Sequence, residues 1–387
     1  MRLLISAGEA SGDFYAAELV SRLREYLAEA EFYGCAGPRL RRLGVEPIVD
    51  AADLSVVGLA EVVGHLPRIY REYRKLVRCA RARRPEAAIL VDNPDFHLRL
   101  ARHLKQLGIP VFYLIAPQVW AWRQRRVRLI RERIDELFCL FPFEEGWFRE
   151  RGIRATYIGH PLARMAQTTC SRPEFLARYQ LEPSQRIIAL LPGSRVGEAR
   201  RHVPYLLDAV ERLRLRWPLS AVLAVPEGFP VRTAFSEFWE RIRSLSIQIV
   251  ENDTWNAIGH ADLALAASGT VTIEAAVIGT PMVTFYRVTP LTWRLGRRLV
   301  KVPFFSMVNL VAGERIVPEL IQDDLTASNL ARAAEALLAA PERIAQMRLD
   351  LARVRKMLTL EGDPLRRAAE QIVSQLTEKR GFTHANC

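Results

Sequence analysis

Apolar residues in this chain fall into short unbroken runs, and between the runs they recur every three to four positions along the whole length. Runs too short for helices and rich in β-branched residues predict strands near 2–6, 31–34, 87–92, 110–115, 136–140 and 155–158, and again near 187–192, 220–225, 247–250, 262–266 and 282–286. The spaced stretches predict helices between them, among them 13–28, 96–107 and 123–134. A strand joined through a helix to the next strand is a parallel crossover, and strands apolar on both faces belong in a sheet covered by helices on both sides. The pattern therefore predicts an α/β protein of two doubly wound, Rossmann-like parallel sheets facing across a cleft, with a helical C-terminal tail.

The apolar period lapses between His160-Pro161 and Ser184, where Thr168, Thr169, Ser171 and Pro173 interrupt it, so a join is expected there. The expected domains are 1–165 and 166–350, followed by a tail at 351–387. A length of 387 residues suits two domains of ordinary size better than one. A terminal helix gains stability only by packing on something, and the tail is expected to cross back to the first domain.

One helical stretch is unusual. From Val56 to Arg78, Leu59, Val62, Val63, Leu66, Ile69, Tyr70, Tyr73, Leu76 and Val77 form an apolar stripe, while Arg68, Arg71, Arg74, Lys75 and Arg78 load the polar side. Pro67 is expected to divide it into two pieces. Two readings stand: a core-facing helix with a solvated basic face, or a surface that meets anionic lipid or admits an acyl chain. Residues 293–305, with Trp293, Arg294, Arg297, Arg298, Lys301, Phe304 and Phe305, mix aromatics and cations in the same manner.

Lys plus Arg number 55 against 43 for Asp plus Glu, and the formal charge of +12 suits an anionic partner. No helix-turn-helix, RRM or KH pattern is present, so nucleic acid is not expected. No run approaches the ~20 apolar residues of a spanning helix. The N-terminus lacks a basic stretch followed by an apolar segment and a small-residue cleavage site, so a cytoplasmic location is expected. Cys35, Cys79, Cys139, Cys170 and Cys387 are scattered, with no CxxC pair and no histidine at ligand spacing. Neither a disulfide framework nor structural zinc is expected, and no cofactor.

Candidate chemistry sits where strands hand over to helices. The first strand runs into Gly8-Glu9-Ala10-Ser11-Gly12-Asp13, and glycines at the carboxyl end of a strand let backbone approach a ligand closely. The plainer alternative is a turn in which Asp13 favours the helix dipole. Ile89-Leu90-Val91 ends in Asp92, and an apolar surround raises a carboxylate's proton affinity, which suits a general base; Asp95 suits an N-cap. Gln118, Trp120, Trp122 and Glu144 lie in loops after later strands and would line the same cleft, where tryptophans either stack on sugars or acyl chains or simply pack between elements. In the second half, Gly193-Ser194-Arg195 with Glu198 pairs exposed amides with a guanidinium able to bind a diphosphate through two parallel hydrogen bonds, or else is a tight turn with a solvated arginine. Ser268-Gly269-Thr270 opens the next helix, where it either favours phosphate or merely caps the helix, and Glu274 one turn on could accept both ribose hydroxyls.

Taken in order, these blocks, together with Val91-Asp92-Asn93-Pro94-Asp95-Phe96, Pro117-Gln118-Val119-Trp120-Ala121-Trp122-Arg123, Phe141-Pro142-Phe143-Glu144, Gly159-His160-Pro161, Leu191-Pro192-Gly193-Ser194-Arg195, Ala267-Ser268-Gly269-Thr270 and Asn309-Leu310, resemble the lipid-A-disaccharide synthase family over residues 2 to 325. Ala116, His97 and Arg164 stand where many members carry Ser, Asn and Asp, which bears on local substrate contacts. The resemblance implies a metal-independent inverting glycosyltransferase of the GT-B fold that joins UDP-2,3-diacylglucosamine to 2,3-diacylglucosamine 1-phosphate, forming the β-1,6 disaccharide 1-phosphate of lipid A and UDP. It implies Asp92 and Arg195 as catalytic residues. Gly193, Ser194, Arg195, Glu198, Ser268, Gly269, Thr270, Glu274 and Asn309 would hold the UDP-sugar; Glu9, Ser11, Gly12, Asp13, Gln118, Trp120, Trp122, Glu144 and His160 would line the acceptor site or cleft. Members associate peripherally with the inner membrane and dimerise with exchanged C-terminal segments, so an anionic membrane surface and a homodimer are implied partners. The rivals are another UDP-sugar enzyme, such as a UDP-N-acetylglucosamine 2-epimerase, and a catalytically silent nucleotide-sugar-binding module at the membrane.

Overall fold

The computed structural model describes residues 1–54, 59–296, 300 and 302–384; the side chains of residues 10, 59–66, 291, 295, 296 and 379–384 are not described. The chain forms two compact units, Met1–Pro161 together with Leu360–Cys387, and Leu162–Thr359.

The first unit is built on seven parallel strands, β1 (Arg2–Ala7), β2 (Glu31–Ala36), β3 (Glu46–Asp50), β4 (Ala87–Val91), β5 (Val111–Leu114), β6 (Glu136–Cys139) and β7 (Ala155–Tyr157), in the order β3-β2-β1-β4-β5-β6-β7. Every residue of β4 and β5 is buried, as befits strands with helices on both faces. The chain winds outward from β1 to β3 and returns through the helix Leu59–Arg83 to lay β4 on the other side of β1. Ser6 lies opposite Leu90 and Ala7 opposite Val91, so β1 and β4 end together and their loops leave side by side at the point where strand order reverses.

The second unit repeats the plan with β8 (Arg186–Leu191), β9 (Leu219–Val225), β10 (Gln248–Glu251), β11 (Leu263–Ala267), β12 (Met282–Tyr286) and β13 (Glu319–Ile321), in the order β10-β9-β8-β11-β12-β13. Here the reversal falls between β8 and β11, with Leu191 opposite Ala266.

β3 and β13 are absent from the expected strands. Both are edge strands with a single neighbour, and β3 carries Pro47 and an exposed Glu46, so neither shows the apolar run that marks a central strand. The helix Leu59–Arg83 runs unbroken through Pro67 instead of dividing there. Proline removes one hydrogen bond of the ladder, and packing beyond it holds the axis: Leu76 and Ala80 are buried, and the Tyr73 ring meets Phe96 edge-on at 5.8 Å. Val56, at the start of the expected basic amphipathic stretch, and Arg297, Arg298 and Lys301 of the 293–305 segment lie outside the described residues.

The expected tail boundary at 351 falls inside the helix Pro341–Leu358, whose Met347, Leu351, Val354 and Leu358 are buried within the second unit. The helix Pro364–His384 belongs to the first unit and packs on the helix Ala10–Tyr26, with Ala368, Ala369 and Ile372 fully buried. Arg22 Nε donates to Asp363 Oδ2 at 3.0 Å, and the Tyr26 hydroxyl donates to Glu370 at 2.8 Å.

Candidate functional site

Because all strands of a unit are parallel, every loop that leaves a carboxyl end lies on one edge of its sheet, the edge where open α/β sheets hold their ligands. In the first unit this edge gathers Glu9 and Ser11 after β1, Asp92 after β4, Gln118, Trp120 and Trp122 after β5, Glu144 after β6 and His160 after β7. The helix Ala10–Tyr26 begins three residues earlier than expected, which places Ser11, Gly12 and Asp13 in its first turn. Asp13 is turned inward: its carboxylate accepts from the amides of Gly37 and Arg39, each at 2.9 Å, and of Leu40 at 3.3 Å. It caps the helix Pro38–Arg42 and so locks the loop after β2 to the first helix.

At the end of β4 the backbone turns left-handed at two successive non-glycine residues, Asp92 (φ +53°) and Asn93 (φ +46°). Gly8 makes room for this turn, since a Cβ there would stand 2.6 Å from Asn93 Nδ2. The Asp92 carbonyl accepts from Tyr113 Oη at 2.5 Å and from His97 Nδ1 at 2.6 Å. Asp95 is not the N-cap that the sequence suggested. Asn93 holds that position, and Asp95, exposed in the first turn, pairs with Arg123 at 3.0 Å and with Arg126. Burial favours its neutral form, but the two guanidiniums outweigh this and hold the carboxyl below its usual range.

The loops after β5, β6 and β7 are knitted by aromatic rings. Trp120 meets Phe143 edge-on at 5.0 Å, and Phe141 lies 5.3 Å from the His160 ring. Trp120 Nε1 donates to Glu144 Oε1 at 3.0 Å, while Glu144 Oε2 accepts from the Leu140 and Phe141 amides at 3.3 and 3.2 Å. Burial raises Glu144 to about 7 against the opposing effect of those donors, and burial alone lowers His160 to about 3. Trp122 is 44% exposed, with the Arg123 guanidinium 4.0 Å over its ring.

In the second unit the loop after β8 holds Gly193 at φ +111°, and a Cβ there would come within 2.7 Å of the Glu198 carboxyl carbon. Ser194 and Arg195 are exposed, and Glu198 lies behind them, its carboxyl raised by burial against the pull of Arg195 and Arg201. The helix Thr270–Ile278 starts at exposed Gly269 and Thr270 with no side-chain cap on its first amides. The Ser268 hydroxyl donates to the Phe305 carbonyl at 2.8 Å. Glu274 Oε2 accepts from Trp255 Nε1 at 2.9 Å, and burial raises this carboxyl also to about 7.

Asn309 is fully buried and satisfied within the fold. Its amide nitrogen donates to the Val317 carbonyl and to Glu319 Oε1, and its oxygen accepts from the Ile316 and Val317 amides, which fills both donors and both lone pairs.

Residues 3–376 match the family model described as lipid-A-disaccharide synthetase. The chain belongs to that family. Its sequence is 54% identical to the lipid-A-disaccharide synthase of Solibacter usitatus (strain Ellin6076), over 92% of this chain and 93% of that one. It is 40% identical to the lipid-A-disaccharide synthase of Acidobacterium capsulatum, over 98% and 97%. Among solved structures, a UDP-GlcNAc 2-epimerase from Neisseria meningitidis bound to UDP-GlcNAc matches with a TM-score of 0.65 at 13% identity, covering 98% of this chain and all of that one. At that identity the likeness concerns the fold, two parallel-sheet α/β domains of the GT-B type.

Within this family member, sequence reasoning missed the role of the residues that set the loops, and tied His97 only to local substrate contacts. His97 and Tyr113 hold the Asp92 carbonyl, and His202 does a similar service in the second unit: Nδ1 donates to the Pro192 carbonyl at 2.8 Å and Nε2 accepts from the Arg287 amide at 3.1 Å. The one available signal was a histidine on the apolar face of the helix that follows a central strand, at 97 and again at 202.

Proposed function

We propose that the chain condenses UDP-2,3-diacylglucosamine with 2,3-diacylglucosamine 1-phosphate, with Asp92 as general base and the second unit holding the UDP moiety. Membership of the family makes it a glycosyltransferase of lipid A disaccharide synthesis. In the proposed step the acceptor 6-oxygen attacks the anomeric carbon of the donor, the bond from that carbon to the diphosphate breaks, and Asp92 takes the hydroxyl proton as UDP departs. The observation that carries this reading is the placing of Asp92: a half-buried carboxylate in a left-handed turn at the strand-order reversal of its sheet.

The second unit offers the complementary chemistry at its own reversal point. Arg195 would neutralise charge growing on the departing diphosphate, the uncapped amides of the helix Thr270–Ile278 would meet a phosphate, and the remaining oxygen of Glu274 would accept ribose hydroxyls. No helix among the described residues is long and apolar enough to cross a membrane. The helix Leu59–Arg83 turns Tyr70, 60% exposed, and Arg71, Arg74 and Lys75 outward, which supports contact with an anionic inner-membrane surface that presents both lipid substrates.

The test is turnover of purified protein on both lipid substrates, with UDP release measured and the product identified by mass spectrometry. Asp92→Asn is expected to lose about 10²-fold or more in kcat with donor affinity little changed, the usual scale for a positioned base. Parent-like turnover in that variant would reject Asp92 as the base.

A further inference from the structure

A side chain from a strand and one from a helix converge on one main-chain oxygen, and a third, from β1, stands behind the helical one. The Asp92 carbonyl can only accept, so Tyr113 Oη and His97 Nδ1 are both donors to it, at 2.5 and 2.6 Å, and both of its lone pairs are filled by side chains. The proton of His97 therefore sits on Nδ1. His97 is fully buried, and burial lowers its proton affinity to about 4, so the ring is neutral and Nε2 accepts from the Ser6 hydroxyl at 2.8 Å. Ser6 and Tyr113 are likewise fully buried, and none of the three is placed to touch a ligand.

What they hold is an unusual stretch of backbone. Asp92 and Asn93 are consecutive residues at positive φ, a region that side-chain-bearing residues enter infrequently and that Asp and Asn tolerate best. Asp92 still donates its own amide to the Leu114 carbonyl at 3.1 Å, so the ladder between β4 and β5 is kept up to the residue at which the chain reverses. Two part-buried hydrogen bonds to the Asp92 carbonyl brace the turn, and they tie it to β5 directly and to β1 through Ser6.

We infer that Ser6, His97 and Tyr113 form a positioning clamp that grips the main chain of Asp92 and thereby fixes the direction of its carboxylate. The inference rests on the reading of Asp92 as the general base. An asparagine amide offers the same donor and acceptor pair as this neutral histidine. Displacing a catalytic group by a fraction of an ångström slows turnover without touching substrate affinity.

The experiment compares kcat, KM and Tm for Tyr113→Phe, His97→Leu, His97→Asn, Asp92→Asn and the double variant Asp92→Asn/Tyr113→Phe. Tyr113→Phe is expected to lower kcat about 10-fold with both KM values unchanged, and His97→Leu to lower it further. His97→Asn should return to within about threefold of the parent, which a loss of general packing would not allow. The double variant should be no slower than Asp92→Asn alone, because the clamp acts only through that residue. If Asp92→Asn is impaired while Tyr113→Phe and His97→Leu turn over like the parent, or if the double variant is slower by the product of the two single effects, the clamp is overturned and the base assignment survives. A fully active Asp92→Asn instead overturns the base assignment, and the clamp with it. Should His97→Leu fail to fold, Tyr113→Phe, which removes one hydroxyl, decides.

Discussion

The Trp255 indole donates to one oxygen of Glu274 at 2.9 Å, leaving the other oxygen of a carboxyl that burial raises to about 7. If that oxygen accepts ribose hydroxyls, it does so best when ionised. UDP affinity should therefore fall as the pH drops through 7, while Glu274→Gln should bind about 10-fold more weakly at higher pH and show a flatter pH profile. Calorimetric titration of UDP at several pH values checks both.

The Trp120–Glu144 pair repeats the motif in the first unit, and here the consequence is for stability. Burial favours the protonated form, so the native state binds this proton more tightly than the unfolded chain, where a glutamate titrates near 4.5. The stabilisation is complete below 4.5 and is lost as the pH rises through about 7, a change of about 3 kcal/mol at most. Glu144→Gln removes the titration. The Tm of the variant minus that of the parent should rise steadily between these two pH values and then level off.

Asp13 should prove structural. Asp13→Ala leaves three amides at the start of the helix Pro38–Arg42 without their acceptor and is expected to cost about 2–3 kcal/mol in urea unfolding. Activity per folded molecule should stay close to that of the parent; loss of activity with unchanged stability would place Asp13 at the substrate.

Asn309→Asp would set a second carboxylate oxygen against Glu319 Oε1, which the Asn309 amide now meets at 2.8 Å. A loss of about 3 kcal/mol is expected from the like-charge contact and the orphaned Val317 carbonyl. Thermal unfolding measures it, and UDP affinity of the folded fraction should be retained.

Arg195→Lys keeps the charge but loses the planar fork. If Arg195 meets the departing diphosphate, kcat should fall about 10-fold in the lysine variant and further in Arg195→Ala. Steady-state kinetics at saturating donor separates this from weaker binding; full activity of the lysine variant would mean that charge alone suffices.

The residues near Asp92 show how far the sequence could be read. An apolar run ending in a carboxylate locates Asp92 at the tip of a central strand, and the repetition of strand, polar loop and helix locates Arg195 and Thr270 in the same way, because burial on both faces of a parallel strand leaves an unmistakable local pattern. The same logic fails at β3 and β13, edge strands that lack an unbroken buried apolar run. It fails again for polar side chains, where residue type announces that a partner is needed without saying which. Asp13 finds its partners at Gly37, Arg39 and Leu40, and His97 finds Ser6 across the sheet, so their tasks were decided by strand order and helix packing. Hydrophobic periodicity is local and survives in the sequence. Hydrogen bonds between residues far apart in the chain exist only once tertiary structure has brought donor and acceptor within 3 Å or so of one another.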